Sequence, residues 1–283
     1  MKNIFRYAGL SKQALDQAKK RAQRKQEESK QFFEQASALR RKHPGKSCRQ
    51  MAEELKIRGW GRDKLERWLL HNGFRNKKLR YVPRTTQAQR AIYFPNLING
   101  RDVNGPWQVV QADLTYFKVG GKDYYIHLVI DVYTRKIIGY AVSRTMHATG
   151  TIQAIEMMLR NRKIKTKTMI HHSDRGHQYV SKEYLKLLRK NNIKSSMCTE
   201  AWENAYIERF NRTIKEGYLQ GWNIKNYDEL VHKVDQAIDH YNTERKHRSL
   251  QGWCPANFEV SVQKMPERKR PIMTIYKKET NNQ

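Results

Sequence analysis

The 283 residues include 56 Lys and Arg against 27 Asp and Glu, a formal net charge of +29; such an excess suits a polyanionic partner and predicts binding that weakens as salt rises. A hydrophobic content of 38% is enough for a sizeable core and excludes disorder throughout. No apolar run approaches the roughly 18 residues of a membrane helix, and Met1 to Leu10 lacks the apolar centre of a secretory signal, so the expected location is cytoplasmic and nucleoid-associated.

Cys48, Cys198 and Cys254 are scattered, with no CxxC pair, which argues against a disulfide framework or a Cys-rich zinc site. From Ser11 to about His43 the chain is rich in Gln, Lys, Arg, Glu and Ala without an interior Gly or Pro, and reads as a long polar helix. Its apolar stripe is thin, so it is either a solvated helix or an arm lying on DNA or a partner. Pro44-Gly45-Lys46 breaks it, and Ser47 is the expected N-cap of a helix through Met51, Leu55 and Ile57. After Arg58-Gly59-Trp60-Gly61, a second helix runs over Lys64, Leu65, Trp68 and Leu69 to Asn72-Gly73. The pair has a helix-turn-helix shape, and Arg62, Lys64 and Arg67 on its second helix are candidate DNA contacts. Asn76 to Asn104 is basic and irregular, broken by Pro83 and Pro95, and reads as a linker.

From Val109 the pattern changes to β-rich runs: Val109 to Val119, a Gly120-Gly121 turn, Lys122 to Val132, and Lys136 to Ser143. These predict a three-stranded antiparallel meander. A helix over Ala148 to Asn161, a strand over Thr168 to His171, a helix over Ser181 to Lys190 and a strand over Lys194 to Cys198 follow. The expected fold class is therefore α/β, a mixed sheet with helices on its faces. Helices over Glu203 to Gln220 and Asn226 to Tyr241 complete it.

Three carboxylates stand out. Asp113 falls inside the first strand, on the face of Thr115 and Phe117 and roughly opposite Leu128. Asp174 follows the strand ending near His171, at the carboxyl end where sites gather. Glu208 lies in the helix Glu203 to Gln220, where Asn204, Glu208, Arg212 and Lys215 share a stripe. Each alone has a plain explanation: an edge residue, a helix N-cap, a partner for Arg212. Asp123 and Asp131 sit beside turns, where backbone hydrogen bonds account for them. Together the three supply oxygen ligands from separate elements, as two Mg2+ ions about 4 Å apart require, with Mn2+ a plausible substitute. Such a pair supports in-line phosphodiester displacement by water or by a DNA 3′-hydroxyl.

Several segments resemble the retroviral-integrase-like core of DDE transposases, above all the OrfB-type transposases of bacterial insertion sequences. Gln111-Ala112-Asp113-Leu114-Thr115-Tyr116 resembles the first-aspartate strand, and Ile130 to Gly139 the hairpin after it. His172-Ser173-Asp174-Arg175-Gly176-His177-Gln178-Tyr179 matches the second-aspartate motif. Glu203-Asn204-Ala205-Tyr206-Ile207-Glu208-Arg209-Phe210 is similar to the glutamate helix, and Tyr241 to Leu250 to the closing motif. Ser47 to Gly73 resembles the family's helix-turn-helix region more weakly. The resemblance implies a ribonuclease H-like fold with an N-terminal all-α helix-turn-helix region. It implies that Asp113, Asp174 and Glu208 are catalytic metal ligands, and that Lys215, with Arg212 and Asn204 on its stripe, contacts transposon-end DNA. The implied organisation is a basic helix or arm over 1–43, a helix-turn-helix over 44–76, a basic linker over 77–106, an integrase-like core over 107–262 and a basic tail over 263–283.

The implied reaction is end cleavage and strand transfer on double-stranded DNA, the insertion-sequence terminal repeats and a target, by a homo-oligomer on DNA. An upstream-frame helix-turn-helix protein is the implied partner or fusion. Two features depart from the family: 33 residues separate Asp174 from Glu208, two fewer than usual, the shortening falling around Thr199 to Trp202, and Glu203 stands where the family has Asp. Glu208 rather than Glu203 is the expected ligand because only Glu208 shares its stripe with Arg212 and Lys215. The competing readings are a ribonuclease H-like nuclease and a non-catalytic DNA-binding regulator.

Overall fold

The computed structural model describes residues 12–57, 59–76, 93–162 and 168–276; the chain divides into two units, Met1–Arg80 and Tyr81–Gln283. No helix among the described residues is long and apolar enough to cross a membrane.

The first unit contains α1 (Lys12–Lys42), α2 (Cys48–Leu55) and α3 (Arg62–His71). Ser47 caps α2 as expected: its hydroxyl accepts from the Gln50 amide at 3.2 Å while the Gln50 side chain accepts from the Ser47 amide at 3.0 Å, a reciprocal capping box. The helix stops at Leu55 rather than Ile57, because Lys56 turns left-handed at φ 36°. Phe32, Ala36, Met51, Ala52, Leu65, Leu69 and Phe74 form the core, with the Phe32 and Trp68 rings 4.3 Å apart. Before Phe32 the described side chains of α1 are exposed. Arg40 closes the unit, donating to the carbonyls of Pro44 at 2.7 Å and Lys46 at 2.6 Å and to Asn76 Oδ1 at 2.7 Å.

The second unit is built on β2 (Val109–Val119), β3 (Lys122–Asp131), β4 (Ile137–Ser143), β5 (Met169–Ser173) and β6 (Ile193–Met197). Gly120 and Gly121, at φ 57° and 81°, make the two-residue turn that fixes the β2–β3 register. The sheet order is β4-β3-β2-β5-β6, antiparallel through the meander and parallel from β2 across β5 to β6. This order, with these directions, is the ribonuclease H-like arrangement.

Alternation along the strands divides the core in two. On one face Val110, Ala112, Val129 and Ile138 pack with residues of α4 (Ala148–Asn161) and α5 (Lys182–Lys190). On the other, Tyr124, Ile126, Leu128 and Ile130 pack against α6 (Ala205–Gly217) and α7 (Tyr227–Thr243). Gly139 lets α4 approach, since a Cβ there would lie 2.2 Å from the Ala154 carbonyl oxygen.

Three features differ from the sequence expectation. The Glu203 to Gln220 helix is divided: a 3-10 turn over Ala201–Asn204 precedes α6, and another over Leu219–Gly221 follows it. A further helix, α8 (Pro255–Gln263), begins with proline in its first turn, where the missing N–H costs nothing. The stretches read as linker and tail hold the short strands β1 (Arg101–Val103) and β7 (Met273–Ile275). These pair antiparallel and bury Val103 and Ile275 in a cluster with Ile98, Val109 and Val262.

Candidate active site

Asp113 lies in β2 directly across from Leu128, on the face covered by α6. The parallel ladder between β2 and β5 ends at the pair Ala112 and Ser173. Asp113 and Asp174, the next residue of each chain segment, therefore emerge side by side at the carboxyl end of β5. Asp174 turns the chain there, its Oδ1 accepting from the Gly176 amide at 3.0 Å. Glu208 is in the first turn of α6. One turn on, Asn211 donates from Nδ2 to Asp113 Oδ2 at 2.6 Å, while Asp113 Oδ1 accepts from the Leu114 amide at 2.9 Å.

The electrostatics register this convergence. Burial pushes the Asp113 carboxyl up to about 8; the charge of Asp174 adds to the shift, as does that of Glu208, while the hydrogen bonds from Leu114 and Asn211 oppose it. The charges of Asp174 and Glu208 thus both bear on Asp113, and a carboxylate raised by its acidic neighbours is an environment suited to hard divalent cations. Asp131 is a useful contrast. It too is pushed up by burial, to about 6, yet it accepts from the amides of Trp107 at 2.6 Å and Thr134 at 2.7 Å and from the Thr134 hydroxyl at 2.8 Å. It is a turn anchor.

Glu203 takes no place among the three. It is 4% exposed, and its carboxylate accepts from the amides of Thr199 and Glu200, the latter at 3.0 Å. Gln111 donates to its carbonyl at 3.3 Å. The residue that departs from the family pattern thus secures the lip where the spacing is short.

Of the candidate DNA contacts, Arg212 is exposed and Lys215 half-buried on α6. Burial lowers the Lys215 ammonium from its ordinary range, and its Nζ lies 4.7 Å from the centre of the Tyr116 ring. Asn204 requires correction. It precedes α6 and is only 3% exposed, because the division of the predicted helix turns it inward, off the outer stripe. Arg62, Lys64 and Arg67 are exposed on α3 in the first unit, with Lys64 over the Trp60 ring at 4.3 Å. Sequence reasoning missed Asn211 and Tyr116. The stripe drawn at four-residue steps from Asn204 passed over Asn211, three residues beyond Glu208; strand alternation placed Tyr116 on the face opposite Asp113.

Residues 103–201 match the family model described as integrase core domain, and residues 191–255 match a second of the same description. The insertion element IS600 31 kDa protein of Shigella sonnei is 33% identical over 183 residues, covering 63% of this chain and 67% of that protein. The chain belongs to the insertion-sequence transposases with an integrase core. InsF, the transposase for insertion sequence IS3A of Escherichia coli K12, is 33% identical over 120 residues, so this transposase matches 41% of InsF with 42% of its own length. Among solved structures it is similar to the HTLV-2 integrase catalytic core domain in complex with magnesium, at 17% identity and a TM-score of 0.42, over 55% of this chain and 97% of that one. Asp113 and Asp174 lie within the first matched region and Glu208 within the second.

Proposed function

We propose that Asp113, Asp174 and Glu208 hold two divalent cations, Mg2+ with Mn2+ as a substitute, and that the transposase uses them to cleave insertion-sequence ends and join them to target DNA. The carrying observation is geometric: the β2–β5 ladder ends at Ala112 and Ser173, so Asp113 and Asp174 leave neighbouring strands together, and α6, which bears Glu208, reaches Asp113 through Asn211. Bound ions supply activation of an attacking oxygen and charge neutralisation on the leaving oxygen. The protein's own part is positioning. Asn211 and the Leu114 amide fix both oxygens of Asp113, the Gly176 amide fixes Asp174, and Glu203 secures the adjoining lip. Lys215 and Arg212 then contact phosphates of the bound end, while Arg62, Lys64 and Arg67 on α3 read or track duplex DNA. Action as a homo-oligomer on DNA, with an upstream-frame helix-turn-helix protein as partner or fusion, belongs to the same reading, as does the five-part organisation set out from the sequence, with β1 of the linker and β7 of the tail joined to the core.

The test offers a labelled duplex bearing an end of the element, together with a target plasmid and Mg2+. Joined products are expected, and Asp113→Asn, Asp174→Asn and Glu208→Gln should each lower their yield by about a thousandfold, the equivalent of several kcal/mol of lost charge stabilisation. End binding should survive in all three. Cleavage without joining would favour a nuclease, and undiminished activity in the three variants would favour a regulator.

A further inference from the structure

Tyr116 occupies a position that the fold does not require to be aromatic. It lies in the middle of β2, opposite Tyr125, yet is 40% exposed. β5 pairs with β2 only over Val109 to Ala112, so from Asp113 onward β5 no longer flanks it. Over its ring sits the Lys215 ammonium, 4.7 Å from the centroid. Lys215 is half-buried, and no carboxylate among the described residues lies within ion-pair distance of it. A lysine so placed gives up hydration with only the charge of the adjacent Glu216 to offset it, which is favourable when an anion is to be met.

The spacing relates this pair to the carboxylates. Tyr116 is three residues beyond Asp113, about 10 Å along an extended strand. Lys215 is seven residues beyond Glu208, about 10 Å along a helix. Two different elements therefore deliver an aromatic ring and an ammonium to one place, each at the same reach from its own carboxylate. Along a stacked nucleic-acid strand that reach spans about three nucleotides.

We propose that Tyr116 and Lys215 form a nucleotide subsite in which an unpaired base stacks on the Tyr116 ring and its phosphate meets the Lys215 ammonium. The base must be unpaired or terminal, because both faces of a base inside a duplex are covered by its neighbours. The subsite rests on the proposed action of the neighbouring carboxylates on DNA. Its role is to select strands already opened near the reacting phosphate, a preference that phosphate contacts alone cannot give.

The experiment uses the full chain carrying Glu208→Gln, which prevents turnover, and compares two fluorescent duplexes by anisotropy. One is blunt; the other ends in a single-stranded tail of about three nucleotides. Tighter binding of the tailed duplex is expected. Tyr116→Ala should weaken tailed binding about tenfold and leave blunt binding unchanged, whereas Tyr116→Trp should retain the preference. Fluorescence of 2-aminopurine placed along the tail should be quenched on binding and recover in Tyr116→Ala. Because the ring is exposed, unfolding is not expected; a melting curve matching that of the parent checks this. Equal loss on both duplexes would reduce Tyr116 to a prop for Lys215, and equal affinities with no effect of Tyr116→Ala would remove the subsite. Failure to bind either duplex would instead overturn the DNA reading of the whole site.

Discussion

Asp113 joins the electrostatics of the site to the stability of the fold. An unfolded aspartate titrates near about 3.9, whereas burial and two neighbouring carboxylates push Asp113 up to about 8 in the native chain. Between those values the native state holds a proton that the unfolded state has lost, so this residue's effect on stability becomes less favourable as pH rises from about 4 to about 8. Divalent cations must displace the same proton. Calorimetric titration with Mg2+ near neutral pH should therefore show proton release, visible as a heat that changes with the ionisation enthalpy of the buffer. Apparent affinity should climb with pH and level off above about 8. A heat independent of buffer would contradict this account. Asp113 was legible in the sequence because one Gly-Gly turn sets the register and alternation does the rest. Asn211 was not, since its approach to Asp113 depends on where α6 begins, and a 3-10 turn that no residue pattern announces sets that start.

Among the elements, contact between β4 and α4 depends on a missing side chain. A Cβ on Gly139 would fall 2.2 Å from the Ala154 carbonyl oxygen and 2.9 Å from Met158 Cβ, and the backbone atom cannot turn aside. Gly139→Ala should lower stability by about 1–3 kcal/mol or more, read as a fall in melting temperature. Gly121→Ala meets nothing within 4 Å and carries only the strain of φ 81°, about 1–2 kcal/mol. A larger loss at Gly121 than at Gly139 would contradict the packing argument. Long elements with strong period were legible: Val109–Val119 and Ala148–Asn161 have the bounds their patterns predict. The three-residue strands Arg101–Val103 and Met273–Ile275 were not. A run so short has no measurable alternation, and its partner lies 170 residues or more away.

For the chain as a whole, charge sets the conditions under which specificity can appear. With a formal charge of +29 and about 6–10 phosphate contacts, DNA affinity should fall about 10³- to 10⁵-fold between about 50 and 200 mM salt. Lys215→Ala should flatten that dependence by about one contact. Binding isotherms at several salt concentrations check both, and an unchanged slope would count against Lys215. The pairing of β1 with β7 has a mechanical meaning as well. Arg101 and Ile275 are register partners, so the chain enters β1 beside the point where it leaves β7. Tension applied to those two points would peel the hydrogen bonds apart singly instead of shearing them together, making this clasp a soft fuse that yields under load before the five-stranded sheet does.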